Sequence, residues 1–226
     1  MVLLVRHATT PTTGKVLPGR ARGLHLSEAG RSEADRAAER LAGTAVAAVY
    51  ASPLERARET ALPIGGALGC PVVVDRQLVE CDFGAWTGEE LSKLRRLPEW
   101  SSVQRWPSGW RFPEGESFAE VQSRMAAALA HYREAHRGEV VVAVSHADCI
   151  KAALASCLGL PLDLFQRINV GPASTSAVAF GPEGPYVLAV SSYGPIPALG
   201  ARPAREAKPA PRLGARPGRG AERDGS

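Results

Sequence analysis

Residues 2–9 read VLLVRHAT, so four apolar residues run directly into an arginine and a histidine. A short run of Val and Leu that polar residues interrupt at once is typical of a strand buried on both faces. His7 then lies where the strand passes into a loop, and in open α/β sheets ligands bind at that carboxyl end. Arg6 offers a permanently charged planar fork for phosphate or carboxylate, and His7 can act as a nucleophile or proton carrier. The stretch therefore predicts an anion site at the end of the first strand.

A second histidine follows the clearest strand of the chain. Residues 140–144 read VVVAV and pass into SHAD at residues 145–148. Ligand sites of open α/β sheets form where the carboxyl ends of parallel strands meet. If both strands belong to one parallel sheet, we expect His7 and His146 to lie near each other.

The alternation of strands and helices along the chain predicts one α/β domain. We expect a three-layer sandwich whose mainly parallel central sheet is flanked by helices. Further strands are expected at 45–51, 72–74, 174–180 and 186–191. Helices are expected to begin near Ser27, Ser52, Ser117 and His146.

Two of these helix starts have the spacing of a capping box. Ser52 and Glu55 form the first candidate box, and residues 117–120 form the second. The first box places Arg56 in the opening turns of its helix, close to the end of the second strand. Pro63 is expected to kink or shorten that helix.

Two irregular segments, residues 9–26 and 76–116, are the expected determinants of substrate choice. The longer one contains tryptophans among prolines and glycines, with a short helix expected near 88–97, and we expect it to cover the site. In the shorter one, Arg20 and Arg22 suggest an anionic group on the substrate in addition to the reacting phosphate.

Charge is distributed unevenly along the chain. Residues 201–226 hold seven basic and three acidic residues, and removing them from the totals of 27 and 23 leaves 20 of each. We therefore expect a catalytic domain over residues 1–195 and a disordered basic tail, rich in Pro, Gly, Ala and Arg, over residues 196–226. Such a tail could contact nucleic acid, but a solubilising role without a specific partner is the simpler expectation.

The four cysteines show no paired metal-ligand spacing, and a chain of 226 residues can bury a core without disulfides. We expect reduced thiols and a cytoplasmic protein. Because the first predicted strand begins at Val2, we expect no signal peptide, and no apolar run is long enough to suggest a membrane span.

The polar residues expected at the strand ends match what phosphoryl transfer needs. Its transition state spreads negative charge over three equatorial oxygens, which cationic donors must stabilise. We assign His7 as the nucleophile that becomes a phosphohistidine. The oxygens would be held by Arg6, Arg56 and His146. Glu80 would protonate the leaving alkoxide and later take a proton from water.

Each of these residues also has a structural interpretation when it is taken alone. A histidine at a strand end is often a hydrogen-bonded core residue, and Arg56 or Glu80 could be a solvated surface charge. Asp82 could be the acid in place of Glu80. A metal-dependent hydrolase is a further alternative, and its ligands would be His7, Glu80, His146 and Asp148. A cation beside Arg6 would be unfavourable, which weakens that alternative.

Five stretches match the motifs of one known family in order over about residues 2–191. Residues 4–9 (LVRHAT) are similar to an RHG signature, and residues 51–61 (ASPLERARETA) to a SPLxRAxxTA stretch. The others are residues 78–88 (LVECDFGAWTG, similar to LxExxFGxWxG), 114–117 (EGES, similar to GGES) and 144–147 (VSHA, similar to SHG). Together they resemble the histidine phosphatase superfamily, in the branch named for cofactor-dependent phosphoglycerate mutase.

The resemblance implies a phosphoglycerate-mutase-like fold, with His7 as the phosphorylated histidine and Glu80 as the acid. The expected substrate contacts are Arg6, Thr13, Arg20, Arg56, His146 and Ala147. Thr13 stands where the family usually has asparagine, and Lys151 where arginine is common. The family's glycine after each histidine is alanine here, at Ala8 and Ala147, and alanine would be strained there if φ were positive.

The resemblance implies a phosphatase that acts on a small phosphorylated metabolite without a metal or other cofactor. A phosphomutase of the phosphoglycerate mutase type is the first alternative. Mutases generally carry longer insertions over the site, since they must keep water from the phosphoenzyme. An inactive module that binds a phosphorylated metabolite or protein is the second alternative.

Overall fold

The computed structural model describes residues 1–196, so the predicted tail lies outside the described residues except for Ile196. Within this range one sheet contains β1 (Val2–Arg6), β2 (Ala48–Ala51), β3 (Val72–Val74), β4 (Val141–Ser145), β5 (Thr175–Gly181) and β6 (Gly184–Ser192). The α-helices are α1 (Glu28–Leu41), α2 (Glu55–Leu68), α3 (Leu91–Leu94), α4 (Trp100–Arg105), α5 (Phe118–Ala135) and α6 (Ala147–Leu158). Short 3-10 helices cover Arg76–Leu78, Gly84–Trp86, Pro107–Gly109 and Leu162–Arg167.

The strands lie in the order β3-β2-β4-β1-β5-β6. The first four in this order are parallel, whereas β5 and β6 are antiparallel to their neighbours. Residues of α1 and α2 pack on one face of the sheet, and residues of α5 and α6 pack on the other. The predicted three-layer α/β fold with a mainly parallel sheet is confirmed.

The first strand is apolar throughout because it is covered on both faces. Val2 and Leu4 contact the α5–α6 side of the core, and Leu3 and Val5 contact the α1–α2 side. Successive side chains of a strand point to opposite faces, so this alternation follows from the backbone. Full burial of each such side chain stabilises the fold by roughly 1.5–3 kcal/mol. The strand that ends in Arg6 is therefore firmly anchored.

The register of the sheet places the two histidines side by side. β1 and β4 are parallel with Arg6 opposite Ser145, so His7 and His146 leave the sheet at the same edge. The backbone N–H of His7 also donates to the Ser145 carbonyl at 2.9 Å. On the other side of β4, β2 ends at Ala51 and brings the start of α2 to this edge.

The start of α2 differs from the prediction. Its N-cap is Leu54 and no side chain caps it, so the capping box predicted at Ser52 is wrong. The Ser52 hydroxyl instead lies 2.8 Å from Nε2 of His146. The predicted shortening at Pro63 is also wrong, because α2 continues past that residue. The box at residues 117–120 is confirmed at the start of α5.

The connection over residues 76–116 is irregular, as predicted, and it packs against the loop over residues 9–26. The N–H of Leu17 donates to the Glu89 carbonyl at 2.9 Å, and the N–H of Leu91 donates to the Lys15 carbonyl at 2.8 Å. Its aromatic core includes Phe83, Trp86, Trp100, Trp110 and Phe112. The two segments expected to set substrate choice are therefore in direct contact.

All four cysteines are free thiols, of which Cys81 and Cys149 are buried and the other two are half-buried. None of the helices over residues 1–196 has the length and hydropathy that crossing a membrane requires.

Candidate active site

His7 is held in one tautomer at the end of β1. Its Nδ1 lies 2.8 Å from the Ala8 carbonyl oxygen. A carbonyl can only accept a hydrogen bond, so Nδ1 carries the proton and Nε2 has a free lone pair. Burial lowers the pKa of His7 to about 3, and the positive charges of Arg56 and Arg6 act in the same direction. At neutral pH the imidazole is therefore uncharged and able to attack an electrophile.

The backbone after His7 is fixed from two directions. The N–H of Ala8 donates to the hydroxyl of Thr60 at 3.0 Å, and that hydroxyl donates to the Arg56 carbonyl at 2.7 Å. Thr9 donates through both its N–H and its hydroxyl to the Glu33 carboxylate, each at 2.9 Å. Rigid support of this kind keeps a nucleophile in its productive position.

Helix α1 approaches this backbone closely because Gly30 has no side chain. A Cβ atom at Gly30 would lie 1.9 Å from the Thr9 carbonyl oxygen. The N–H of Ser27, the N-cap of α1, donates to that same oxygen at 3.0 Å. A glycine at this position is therefore a condition for the geometry next to His7.

Arg56, which is buried, and Arg6, which is half-buried, both have buried donors without partners. Arg56 is 0% exposed; one of its Nη atoms donates to the Gly19 carbonyl at 2.8 Å, while Nε and the other Nη have no partner within residues 1–196. Arg6 donates to the Val170 carbonyl at 2.7 Å and leaves Nε without a partner in the same range. Leaving a buried cation unpaired is costly, and these free donors could hold the oxygens of an anion.

His146 lies at the N-cap of α6 and is 0% exposed. Its ring centroid is 5.2 Å from that of His7. Nε2 contacts the Ser52 hydroxyl at 2.8 Å, whereas Nδ1 is buried without a hydrogen bond and lies 3.7 Å from Oε2 of Glu80. Burial and the nearby Arg56 charge lower the pKa of His146 well below its ordinary value, so its contact with Glu80 is not an ion pair at neutral pH.

Glu80 has the environment of a proton donor. It is 6% exposed, and its Oε1 accepts hydrogen bonds from the N–H of Cys81 at 2.9 Å and from the Cys149 thiol at 3.5 Å. Burial raises the pKa of Glu80, and the negative charge of Asp148 raises it further, although Arg56 opposes both. A raised pKa keeps a carboxyl group protonated closer to neutral pH, where it can act as a general acid.

Arg20 and Thr13, which the sequence predicts as substrate contacts, form hydrogen bonds with other residues of the protein. Arg20 donates to the Glu80 carbonyl at 2.9 Å and forms an ion pair with Glu116 at 2.8 Å. Thr13 accepts a hydrogen bond from the N–H of Thr10 at 2.9 Å. Arg20 therefore holds the Glu80 segment and Thr13 closes its own loop. Ala147 is the first residue of α6, directly after His146.

The sequence of residues 2–192 matches the histidine phosphatase superfamily (branch 1). This chain belongs to that superfamily. The predicted membership is thereby confirmed, and phosphatases and phosphoglycerate mutases are both found among the relatives.

Three relatives illustrate the range of the superfamily. Phosphoserine phosphatase 1 of Hydrogenobacter thermophilus is 33% identical over 182 residues, which cover 78% of this chain and 85% of that protein. A probable phosphoglycerate mutase of Klebsiella pneumoniae is 32% identical over 181 residues, covering 79% and 84%. The structure of a mycobacterial glucosyl-3-phosphoglycerate phosphatase aligns with a TM-score of 0.76 and 26% identity, covering 84% of this chain and 98% of that one.

The similarity does not always extend over the whole relative. A bifunctional protein of Mycobacterium tuberculosis is 35% identical over 191 residues, and the chain spans about half of its length, 51%.

This histidine phosphatase departs from the superfamily motifs at two positions, and neither departure strains the backbone. Ala8 and Ala147 replace glycines, yet neither has a positive φ. Among the described residues other than glycine, positive φ occurs at Glu114, Ala173 and Ser191. Alanine is therefore compatible with the backbone after each histidine.

The residues of the metal-dependent alternative do not form a metal cluster. No group of three or more His, Cys, Asp or Glu side chains within residues 1–196 is arranged to hold a metal ion. Asp148 instead pairs with Lys151 at 3.2 Å.

Sequence reasoning missed two contacts of the site. The hydroxyl of Ser52 orients His146, and the thiol of Cys149 contacts Glu80. Ser52 could have been found, because it directly follows β2, the neighbour of β4. Cys149 has the helical spacing of a core residue, and its position gives no further signal.

Proposed function

We propose that this protein is a phosphomonoester hydrolase that works without a metal, through a phosphohistidine on His7. The observation that carries the proposal is the unpartnered buried N–H groups of Arg6 and Arg56 beside the free Nε2 of His7. A phosphoryl group supplies both the anionic oxygens that these donors lack and the electrophile that Nε2 needs.

In the first step, a phosphoryl group lies between the donors of Arg6, Arg56 and His146. Nε2 of His7 attacks phosphorus, and the bond from phosphorus to the leaving oxygen breaks. Glu80 gives its proton to that oxygen, so the alcohol leaves in neutral form. The raised pKa of Glu80 favours this role.

In the second step, Glu80 is a carboxylate and takes a proton from water. The resulting hydroxide attacks phosphorus, the bond from phosphorus to Nε2 breaks, and inorganic phosphate is released. His7 returns to its neutral form and Glu80 to its protonated form, so the cycle is balanced.

The substrate we propose is a small phosphorylated metabolite in the cytoplasm. Support for the substrate class comes from the relatives and neighbours, whose names specify phosphoserine and glucosyl-3-phosphoglycerate. Support for the compartment comes from the four free thiols, which are typical of a reducing environment.

A phosphomutase is the second candidate, and the relative from Klebsiella pneumoniae supports it. One assay separates the two functions. With 3-phosphoglycerate as substrate, a phosphatase releases inorganic phosphate, whereas a mutase forms 2-phosphoglycerate and depends on added 2,3-bisphosphoglycerate. We expect phosphate release from p-nitrophenyl phosphate and from small phosphomonoesters, at rates that chelator leaves unchanged. Formation of the isomer without phosphate release would support the mutase.

A further inference from the structure

A cavity of about 670 Å³ lies beside the proposed reaction centre and is lined by Arg20, Arg22, Pro53, Leu54, Glu55, Arg76, Val79 and Arg124. Val79 directly precedes Glu80, the proposed proton donor. Leu54 is the N-cap of α2, which carries Arg56 in its first turn. Arg20, a lining residue, also donates to the Glu80 carbonyl at 2.9 Å. The cavity therefore adjoins the segment that carries Glu80, and its size suits a metabolite.

Two of the four arginines in the cavity are already neutralised. Glu116 pairs with Arg20 at 2.8 Å and with Arg124 at 3.2 Å, and Asp82 lies 3.5 Å from Arg20. These ion pairs join the loop over residues 9–26 to the connection over residues 76–116. The positive charges of Arg20 and Arg124 are therefore balanced by acidic residues of the protein itself.

The other two arginines have no partner. Arg22 and Arg76 are exposed, and neither side chain forms a hydrogen bond or ion pair within the part of the chain that the structure describes. They come from different segments, the first loop and the 3-10 helix after β3, yet they line the same cavity. Glu55 is the one acidic residue among the lining residues, and its Oε2 is buried. The cavity therefore keeps an excess of positive charge.

We propose that Arg22 and Arg76 bind a second anionic group, a carboxylate or a phosphate, on the leaving group of the substrate. This inference rests on the proposed function and narrows its substrate class to phosphomonoesters whose alcohol is itself an anion. Guanidinium groups suit both anions because their planar donors can bind two oxygens at once. An uncharged alcohol leaves both arginines without a partner.

Matched pairs of substrates test the proposal. 3-Phosphoglycerate and glycerol 3-phosphate differ in a carboxylate, and fructose 1,6-bisphosphate and fructose 6-phosphate differ in a second phosphate. We expect the enzyme to prefer the more anionic member of at least one pair in kcat/KM. The preferred pair identifies the anion.

Substitutions then locate the subsite. The double variant R22Q/R76Q should lower the preference by about 10- to 100-fold, as expected for loss of hydrogen bonds to a charged group. Its kcat/KM for p-nitrophenyl phosphate should stay within about twofold of the wild-type value, because that leaving group brings no second anion to the arginines. R95Q is the matched control, since Arg95 is exposed and does not line the cavity.

Two results would overturn the subsite while leaving the phosphatase intact. One is equal kcat/KM within both pairs, and the other is a preference that the double variant keeps, each with p-nitrophenyl phosphate still hydrolysed. Failure to hydrolyse any of the esters would overturn the proposed function, and the subsite with it.

Discussion

His7 and His146 occupy equivalent places in the sheet but have opposite surroundings. Each follows a buried parallel strand, and the two strands are neighbours. His7 is fixed through Nδ1 by a carbonyl, so its Nε2 is free. His146 is fixed through Nε2 by the Ser52 hydroxyl, so its Nδ1 faces Glu80. The position at a strand end brings each histidine to the site. The hydrogen bond that each imidazole makes within the protein decides which of its nitrogens can face the substrate.

The Ser52 hydroxyl also accepts a weak hydrogen bond from the N–H of Leu54, at 3.4 Å. We infer that the hydroxyl donates its own proton to Nε2 of His146. Nε2 is then the acceptor, so the imidazole proton is on Nδ1. In this arrangement His7 offers a lone pair and His146 offers a donor. The comparison therefore predicts a nucleophile at one strand end and an oxyanion donor at the other.

The largest expected effect separates the two histidines directly. His7→Ala should abolish turnover, because it removes the imidazole to which we assign the covalent intermediate. His146→Ala should slow turnover by on the order of 10²–10³, the usual cost of one donor to a developing oxyanion. Steady-state rates with p-nitrophenyl phosphate give both numbers, and melting temperatures show whether each variant is folded. The opposite ranking in folded variants would reverse the assignment.

Glu80→Gln tests whether the carboxyl group that faces His146 is the proton donor. The variant should lose on the order of 10²–10⁴ in rate for an alkyl phosphate, which needs a protonated leaving group. The loss should shrink for p-nitrophenyl phosphate, whose leaving group needs little help. Asp82→Asn is the control, because Asp82 is 38% exposed and pairs with Arg20. If Asp82→Asn shows this pattern in place of Glu80→Gln, Asp82 is the acid.

The pH dependence of kcat/KM should report the two groups separately. His7 must be neutral to attack, and its pKa is about 3. The acid limb of the pH profile should therefore lie near pH 3, with kcat/KM rising as the pH increases through that value. Glu80 must be protonated, so activity on an alkyl phosphate should fall about tenfold per pH unit above its raised pKa. The Glu80→Gln variant should lack the alkaline limb. A limb that persists in that variant belongs to another group.

Ser52→Ala should have the smallest effect of the series. It removes one hydrogen bond that orients His146, so the rate should fall about two- to tenfold. Ser156→Ala is the matched control, because Ser156 is exposed on α6. Equal rates for the two variants would show that the hydroxyl does not orient the imidazole.

The main catalytic candidates could be predicted from sequence because each follows a recognisable hydrophobic strand. His7, His146 and Arg56 all lie at or just beyond the carboxyl end of a parallel strand, where side chains converge. The fold class followed from the same alternation of strands and helices.

Long-range hydrogen bonds explain what sequence reasoning missed. Ser52 has the local pattern of a capping residue, but its hydroxyl is taken by His146, 94 positions away. Arg20 looks like a free cation, but its partners Glu80 and Asp82 lie 60 and 62 positions away. Local rules cannot weigh such contacts, because they arise only when the sheet has assembled.

The most direct test of the account locates the phosphoryl group on the enzyme. Brief mixing with ³²P-labelled substrate and quenching in alkali preserves phosphohistidine, and peptide mapping then identifies the residue. We predict label on His7 that is absent from the His7→Ala variant and unaffected by chelator. Label on His146 or on any other residue would contradict it, as would label formation that chelator abolishes and added metal restores.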